Sequence, residues 1–300
     1  MVSKSSVSLG ALFAVLGVVL FSAKAVIVKL AYQYQVDAVA LLLFRMLFSL
    51  PFYIAIAFLV KPSKPAEIRK KDYLWIAFFG CIGYYLASYF DFIGLQYIKA
   101  GLERIILFIY PTIVVLLSWV LFKNKISKTQ FYAILITYSG IVVIFWSELG
   151  LSGNNTLWGG FMVFLSAVTY ASYLVGSGWL IPKFGVLTFT TYAMLVSTAA
   201  VIVHYLIVGD YDLINYPSEV YVLAAVMAVF STLIPSFLVS AAIKQLGAST
   251  FSVFGSLGPV STIILAYFFL DEKISYVQAL GMLIVIYGIV LVTEKKKKIE

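Results

Sequence analysis

Five ionisable residues stand inside long apolar runs of this 300-residue chain: Lys24, Arg45, Asp91, Glu103 and Arg104. Near the centre of a membrane-spanning helix a Lys, Arg or Asp costs about 2.5–3.5 kcal/mol on insertion scales, so such residues persist when paired, hydrated or functional. Cations on two spans facing a carboxylate on a third could hold a substrate of both signs, such as an amino acid, or an anion beside a proton site. Lys24 and Arg45 are then expected to bind the substrate's negative group. Asp91 has two roles open to it, proton relay or structural counter-ion. The competing reading is a salt-bridge network of Asp91, Glu103 and Arg104 at the headgroup level, with Lys24 snorkelling outward.

Hydroxyls recur at helical spacings of three and four, which puts them on one face of a helix. Tyr84 and Ser88 share such a face with Asp91; Ser166, Thr169, Tyr170, Tyr173 and Ser177 form a second, and Ser252, Ser256 and Pro259 a third. Each stripe fits a pathway wall or ordinary packing between membrane helices. Pro111 and Pro259 sit mid-span, and each is expected to kink its helix by freeing the carbonyl four residues earlier. One His (His204) and one Cys (Cys81) are too few for a Cys/His metal cluster or an internal disulfide. No cofactor-binding motif and no Walker-type phosphate loop is present.

The elements that position these groups follow from composition. The chain is 63% hydrophobic and 11% charged, with mean hydropathy +1.03, against roughly 25% charged for a soluble domain. Crossing about 30 Å of hydrocarbon takes about 20 residues per helix. Apolar runs place spans at Leu9–Tyr32, Asp37–Val60, Tyr73–Ile98, Gly101–Phe122, Thr129–Ser147, Leu157–Ile181, Val186–Val208, Ser218–Leu246, Ser249–Leu270 and Tyr276–Thr293. Too little chain remains for a soluble catalytic or DNA-binding domain. The Ala23-Lys24-Ala25 stretch mimics a signal-peptidase site, but the apolar run continues past it, so the first span reads as retained.

Fifteen Lys and Arg residues fall on one side of these spans and three, Lys29, Lys99 and Lys273, on the other. Positive charge resists translocation, so both termini are expected in the cytoplasm. The net charge of +8 is thereby a topology device, and no nucleic-acid partner is expected. The lysine-rich end, Glu294 to Glu300, reads as a polar tail able to meet lipid headgroups. Asn154-Asn155-Thr156 matches a glycosylation acceptor, a pattern with meaning only in a eukaryote.

The chain repeats itself. Shifted by 148 residues, Ala100 falls on Ala248, Pro111 on Pro259, Lys125-Ile126-Ser127 on Lys273-Ile274-Ser275, and Gly140-Ile141-Val142 on Gly288-Ile289-Val290. Residues 1–148 and 149–300 thus form two five-span repeats. Five is odd, so the second must enter the membrane from the opposite side, and inverted repeats place a substrate site near the midplane at their junction. The stretches from Ala100-Gly101 through Pro111 to Phe122, and from Gly247-Ala248 through Pro259 to Asp271-Glu272-Lys273-Ile274-Ser275, resemble the fourth and fifth helices of the EamA-type repeat of the drug/metabolite transporter superfamily. Arg45 fits that family's Arg in the second span, while Lys123-Asn124-Lys125 departs from the expected Glu.

The fold expected is therefore an all-α integral membrane protein of ten helices in two inverted five-helix repeats. The resemblance implies a secondary transporter of small polar metabolites, amino acids or related compounds, exporting by alternating access from a prokaryotic cell membrane. Sugar-phosphate or nucleotide-sugar transport and drug efflux are the alternatives within transport; a channel or membrane sensor is the alternative outside it. The expected partners are a small-molecule substrate, the lipid bilayer and, through Asp91, a coupling proton. Oligomeric state is not fixed by any sequence feature. The candidate pathway is Lys24, Arg45, Tyr84, Ser88, Asp91, Glu103, Arg104, Tyr170, Tyr173, Ser252 and Ser256, with Pro111 and Pro259 as kinks.

Overall fold

The computed structural model describes residues 4–123, 128–146, 155–209, 213–271 and 275–299. Eight helices are long and apolar enough to cross a membrane: α1 (Lys4–Tyr32), α2 (Ala38–Leu59), α3 (Lys70–Tyr97), α4 (Ala100–Phe122), α6 (Thr156–Phe184), α7 (Val186–Val208), α8 (Ser218–Leu246) and α9 (Ala248–Phe269). Shorter apolar stretches lie in α5 (Lys128–Trp146) and α10 (Tyr276–Ile299), which complete ten spans. Among the described residues there is no strand. The outward surface is apolar, with Phe58, Leu59 and Leu157 more than four-fifths exposed, as lipid contact requires. The lysine run expected to be a polar tail instead continues α10 to Ile299. Asn124, the Lys-Ile-Ser exit after α4 and Asn154 lie outside the described residues.

The two halves repeat each other in backbone detail. α3 contains a π-helical turn at Cys81–Leu86 and α8 one at Val229–Leu233, starting 148 residues apart. Left-handed Lys123 (φ 53°) ends α4, and left-handed Asp271 (φ 55°) follows α9 at the same offset. Packing is reciprocal as well. α1 lies on α8 and α9 as α6 lies on α3 and α4, while α2 meets α7 and α5 meets α10. A Cβ on Gly140 of α5 would lie 2.7 Å from the Gly281 carbonyl oxygen of α10, so the small residues at the repeat-related sites allow close helix contact.

Inversion is visible in what shares an end of the bundle. The connection after α2 pairs with the turn after α6: the Ser63 N–H donates to the Phe184 carbonyl (3.1 Å) and Lys64 N–H to that of Lys183 (2.9 Å). Lys183 Nζ also reaches Asp72 Oδ2 at 3.1 Å, on the first turn of α3. The first turn of the second half therefore sits beside the second connection of the first half. Gly185 (φ 83°), the left-handed link from α6 to α7, tolerates this approach because a Cβ there would lie 2.3 Å from Ser63 Oγ.

α4 and α9 are broken rather than kinked. α4 runs helical over Ala100–Leu107, turns through Phe108 and Ile109, and resumes over Tyr110–Phe122 with Pro111 in its first turn. α9 runs over Ala248–Phe254 and resumes over Leu257–Phe269, with Pro259 in that restart. Proline fits a first helical turn, where an N–H has no intrahelical partner, so the chain restarts where a smooth kink was expected.

Candidate transport site

α1 carries Lys24 and α3 carries Asp91 to one point inside the bundle. Lys24 Nζ lies 2.7 Å from Asp91 Oδ2, with side chains 3% and 0% exposed. Near the start of α4, Glu103 and Arg104 form a second pair, Nε to Oε2 at 3.1 Å, with exposures of 0% and 5%. Both carboxyl side chains are fully buried. Arg104 Nη2 donates to the α1 carbonyls of Phe21 (3.3 Å) and Ser22 (3.5 Å). Thr262 of α9 donates to the same Ser22 carbonyl at 3.4 Å, so α1, α3, α4 and α9 meet at this cluster.

Arg45 of α2 stands apart from these pairs. Its Nη2 donates to Ser88 Oγ at 2.9 Å, and its guanidinium lies 5.2 Å from the centre of the Phe92 ring, a cation–π contact.

A cavity of about 30 Å³ opens where the two broken helices meet, with room for about one water molecule. Arg104 is the charged side chain on its wall, with Ser22, Phe21, Tyr110, Tyr170 and Pro259. Tyr170 stacks on Phe21 at 5.7 Å and meets Tyr110 edge-on at 5.3 Å. Gly255, at the α9 break, supports the Tyr110 hydroxyl so closely that a Cβ there would lie 1.4 Å from it. The breaks of the two halves thus touch across the cavity. Its walls offer one guanidinium, the hydroxyl residues Ser22, Tyr110 and Tyr170, and aromatic faces, around a space closed to anything much larger than water in this state.

Tyr138 of α5 holds the α4 break open. Its hydroxyl is within reach of the Phe108 (3.3 Å) and Ile109 (3.4 Å) carbonyls and accepts from Thr112 Oγ1 at 2.7 Å. The Ile109 carbonyl takes the Ile113 N–H only at 3.4 Å, so the hydroxyl adds a donor at a weakened turn. Tyr138→Phe is therefore expected to lower stability by about 0.5–1.5 kcal/mol, read as the thermal midpoint in detergent. An unchanged midpoint would show that the break holds itself.

At the end of the bundle that holds the α1–α2 turn, a polar mouth of about 460 Å³ is lined by Lys29, Tyr32, Gln35, Asp37, Gln96 and Tyr216. Tyr32 donates to the carbonyl of Phe92 at 2.7 Å, next in the chain to Asp91, and so stands between the mouth and the charged cluster.

The structure joins Lys24, Asp91, Glu103 and Arg104 and seats Arg45 with Ser88. Of the five charges it presents only Arg104 to the cavity, although the sequence pointed to Lys24 and Arg45 as the substrate cations. Lys24 is engaged by a carboxylate and Arg45 by a hydroxyl. Glu103 and Arg104, expected near the interface, are as buried as the others. Tyr84 and Tyr173 meet each other edge-on at 4.8 Å, off the cavity wall. Ser252 and Ser256 donate within their own helix region, to Ser249 and Val253 carbonyls. His204 lies against the rings of Tyr85 and Tyr89. Phe21, Ser22, Tyr110 and Tyr138 escaped the sequence reading because each is one aromatic or hydroxyl in an apolar run.

Two inverted sets of five helices around a buried ionic cluster and a small cavity at their junction fit an integral membrane transporter. The chain belongs to the EamA-like transporter family, whose pattern matches residues 8–146 and again 157–294. It is 31% identical over 279 residues to the uncharacterized transporter YcbK of Bacillus subtilis (strain 168), covering 91% of this chain and 88% of that protein. An uncharacterized transporter of Archaeoglobus fulgidus is 23% identical over 267 residues, 87% of this chain and 90% of the relative. A solved crystal structure of a protein superposes with TM-score 0.73 at 16% identity, covering 98% of this chain and 99% of the other, a likeness of fold.

Proposed function

We propose that this transporter moves small polar metabolites, amino acids or related compounds, out of a prokaryotic cell by alternating access. The observation that carries the substrate class is the single guanidinium of Arg104 on an otherwise uncharged wall. One cation on the wall suits a single carboxylate. A sugar phosphate would call for further cations at the wall, and Lys24 and Arg45 are engaged elsewhere. Hydrophobic cations would meet repulsion from Arg104. Alternating access is supported by the meeting of the two breaks at Tyr110 and Gly255, a contact between the halves that can part without unfolding either.

Counterflow tests the reading. Proteoliposomes of the purified full chain, loaded with unlabelled amino acids, should accumulate at least one labelled amino acid, and Arg104→Gln should abolish it. Absence of counterflow for every amino acid would overturn the substrate class.

The charge bias supports a cytoplasmic side for both termini, and the lysines gathered at the shared end of Lys64, Asp72 and Lys183 agree with that side. Single cysteines in a Cys81→Ser background, treated in intact cells with an impermeant thiol reagent, should label at Asn154 and stay unlabelled at Ser63. The reverse pattern would invert the orientation.

A further inference from the structure

We propose that an anionic phospholipid occupies a defined site on this protein, its acyl chain in a groove between α2 and α8 and its headgroup against Lys61 and Lys244. The site goes beyond the substrate reading and does not depend on it.

The groove has a volume of about 570 Å³ and lies toward the end of the bundle that holds the α2–α3 connection. Phe13 of α1, Phe52 and Ile56 of α2, Leu187 of α7, and Ile234 and Phe237 of α8 line it, and every other lining residue is apolar too. Its walls come from both halves. Next in the chain to Phe52 and Phe237, the buried Tyr53 and Ser236 side chains hydrogen-bond from α2 to α8 at 2.9 Å, so the groove borders a tie between the halves. The repeat-related place is filled. Ile56, Leu233 and Phe237 stand 148 residues from His204, Tyr85 and Tyr89, and there the imidazole packs against the tyrosine rings at 5.6 and 4.7 Å. The fold closes one of these two places with its own rings and leaves the other to a neighbour.

A recess at this depth opens on hydrocarbon, where water is excluded and the available neighbour is a lipid tail. A tail gains little by leaving the bilayer for the groove, since both are apolar, so a defined occupant has to be fixed by its headgroup. The helices supply the cations. On α8, Phe237, Ala241 and Lys244 follow at steps of four and three along one helical face, so Lys244, in the last turn, continues the groove wall. On α2, Phe52, Ile56 and Leu59 share a face, and Lys61 follows directly on the helix end at Val60. Both lysines are exposed, and among the described residues neither is in an ion pair, whereas Lys64 pairs with Glu67 and Lys183 with Asp72. Two such lysines at the rim of an apolar groove match a phosphate carried on an acyl chain, and a glycerol headgroup brings no cation to oppose them as choline does. A lysine beside an anionic lipid surface is worth about fivefold in binding, so the two should favour phosphatidylglycerol over phosphatidylcholine by roughly 5- to 25-fold.

The test reads lipid at the groove wall. Phe52→Trp places an indole there, and the full chain is reconstituted in phosphatidylcholine vesicles doped with either phosphatidylglycerol or phosphatidylcholine bearing dibrominated chains, which quench tryptophan on contact. The five native tryptophans, measured in the unsubstituted protein, report lipid over the rest of the surface. Brominated phosphatidylglycerol should half-quench the added indole at a mole fraction at least about fivefold lower than brominated phosphatidylcholine does, with no comparable preference at the native tryptophans. Lys61→Gln together with Lys244→Gln should abolish the preference, and each single change should lower it in part. Ile234→Trp serves if Phe52→Trp does not fold. Both leaflets carry the probe, so the result is independent of which end of the bundle is cytoplasmic. Equal quenching by the two lipids, a preference shared by the native tryptophans, or one that survives the double lysine change overturns the proposal. An added indole that neither lipid quenches also overturns it and puts a protein helix in the groove instead.

Discussion

Lys24→Met should destabilise the protein by about 3–5 kcal/mol, the cost of leaving a buried carboxylate without its partner. The cause is geometric: Lys24 Nζ lies 2.7 Å from Asp91 Oδ2, and neither side chain is more than 3% exposed. Removing both charges should cost far less than removing one, so Lys24→Met with Asp91→Asn is expected to recover most of the loss. Thermal unfolding in detergent reads both variants and the Asp91→Asn single variant as a cycle. A Lys24→Met protein as stable as wild type, or a double variant no better than the single, would mean the pair is hydrated in the membrane and not a structural bond. The same pairing changes what loss of transport in Lys24→Met can mean. Such a loss would follow from damage to the cluster that seats Glu103 and Arg104, without any contact between Lys24 and substrate.

Arg45 separates the two ideas. It is 1% exposed, bonded to Ser88, and its Nε has no partner. Arg45→Met leaves no carboxylate stranded as Lys24→Met does, because its hydrogen-bond partner is a neutral hydroxyl. Its stability cost should therefore fall below that of Lys24→Met, and comparing the two thermal midpoints checks it.

Most of the architecture was legible because lipid imposes it. Apolar runs of membrane length, lysines biased to one side and a 148-residue echo are all one-dimensional signals, and the helices begin and end within a few residues of where those signals end. The clearest exception is α10, where the lysine run continues the helix to Ile299. Charge type and depth likewise singled out Lys24, Asp91, Glu103 and Arg104. What sequence could not supply was partnership, because helical rotation decides which charge meets which. Lys24 turned toward Asp91 and Arg104 toward the cavity, and no spacing rule distinguishes those outcomes. The π-helical turns at Cys81 and Val229 escaped the sequence reading because Gly80, Gly83, Thr232 and Pro235, weak helix formers near them, recur throughout membrane helices and do not specify a π turn. Pro111 and Pro259 marked the right places, yet whether a proline bends a helix or opens it depends on outside donors such as Tyr138.

Gly255→Ala should shift the conformational balance more than any other single methyl group in the site. Its Cβ would stand 1.4 Å from the Tyr110 hydroxyl oxygen and 2.5 Å from Cζ, so either the ring leaves the cavity wall or the two breaks part. Overpacking of this kind costs about 1–3 kcal/mol. That cost falls only on the state in which the breaks touch, and a bias confined to one state changes populations by roughly 5–150-fold. Access to the polar mouth should report it without any substrate. In a Cys81→Ser background, a cysteine in place of exposed Gln96 on the mouth should react with an impermeant thiol reagent at a rate that follows the population of this state. Gly255→Ala is expected to lower that rate by about tenfold or more, and adding Tyr110→Leu, which removes the ring atoms nearest the new methyl, should restore it. An unchanged rate in Gly255→Ala would show that the contact of the two breaks does not distinguish the states. A loss that Tyr110→Leu fails to repair would place the strain elsewhere on α9, since the methyl's two nearest atoms both belong to Tyr110.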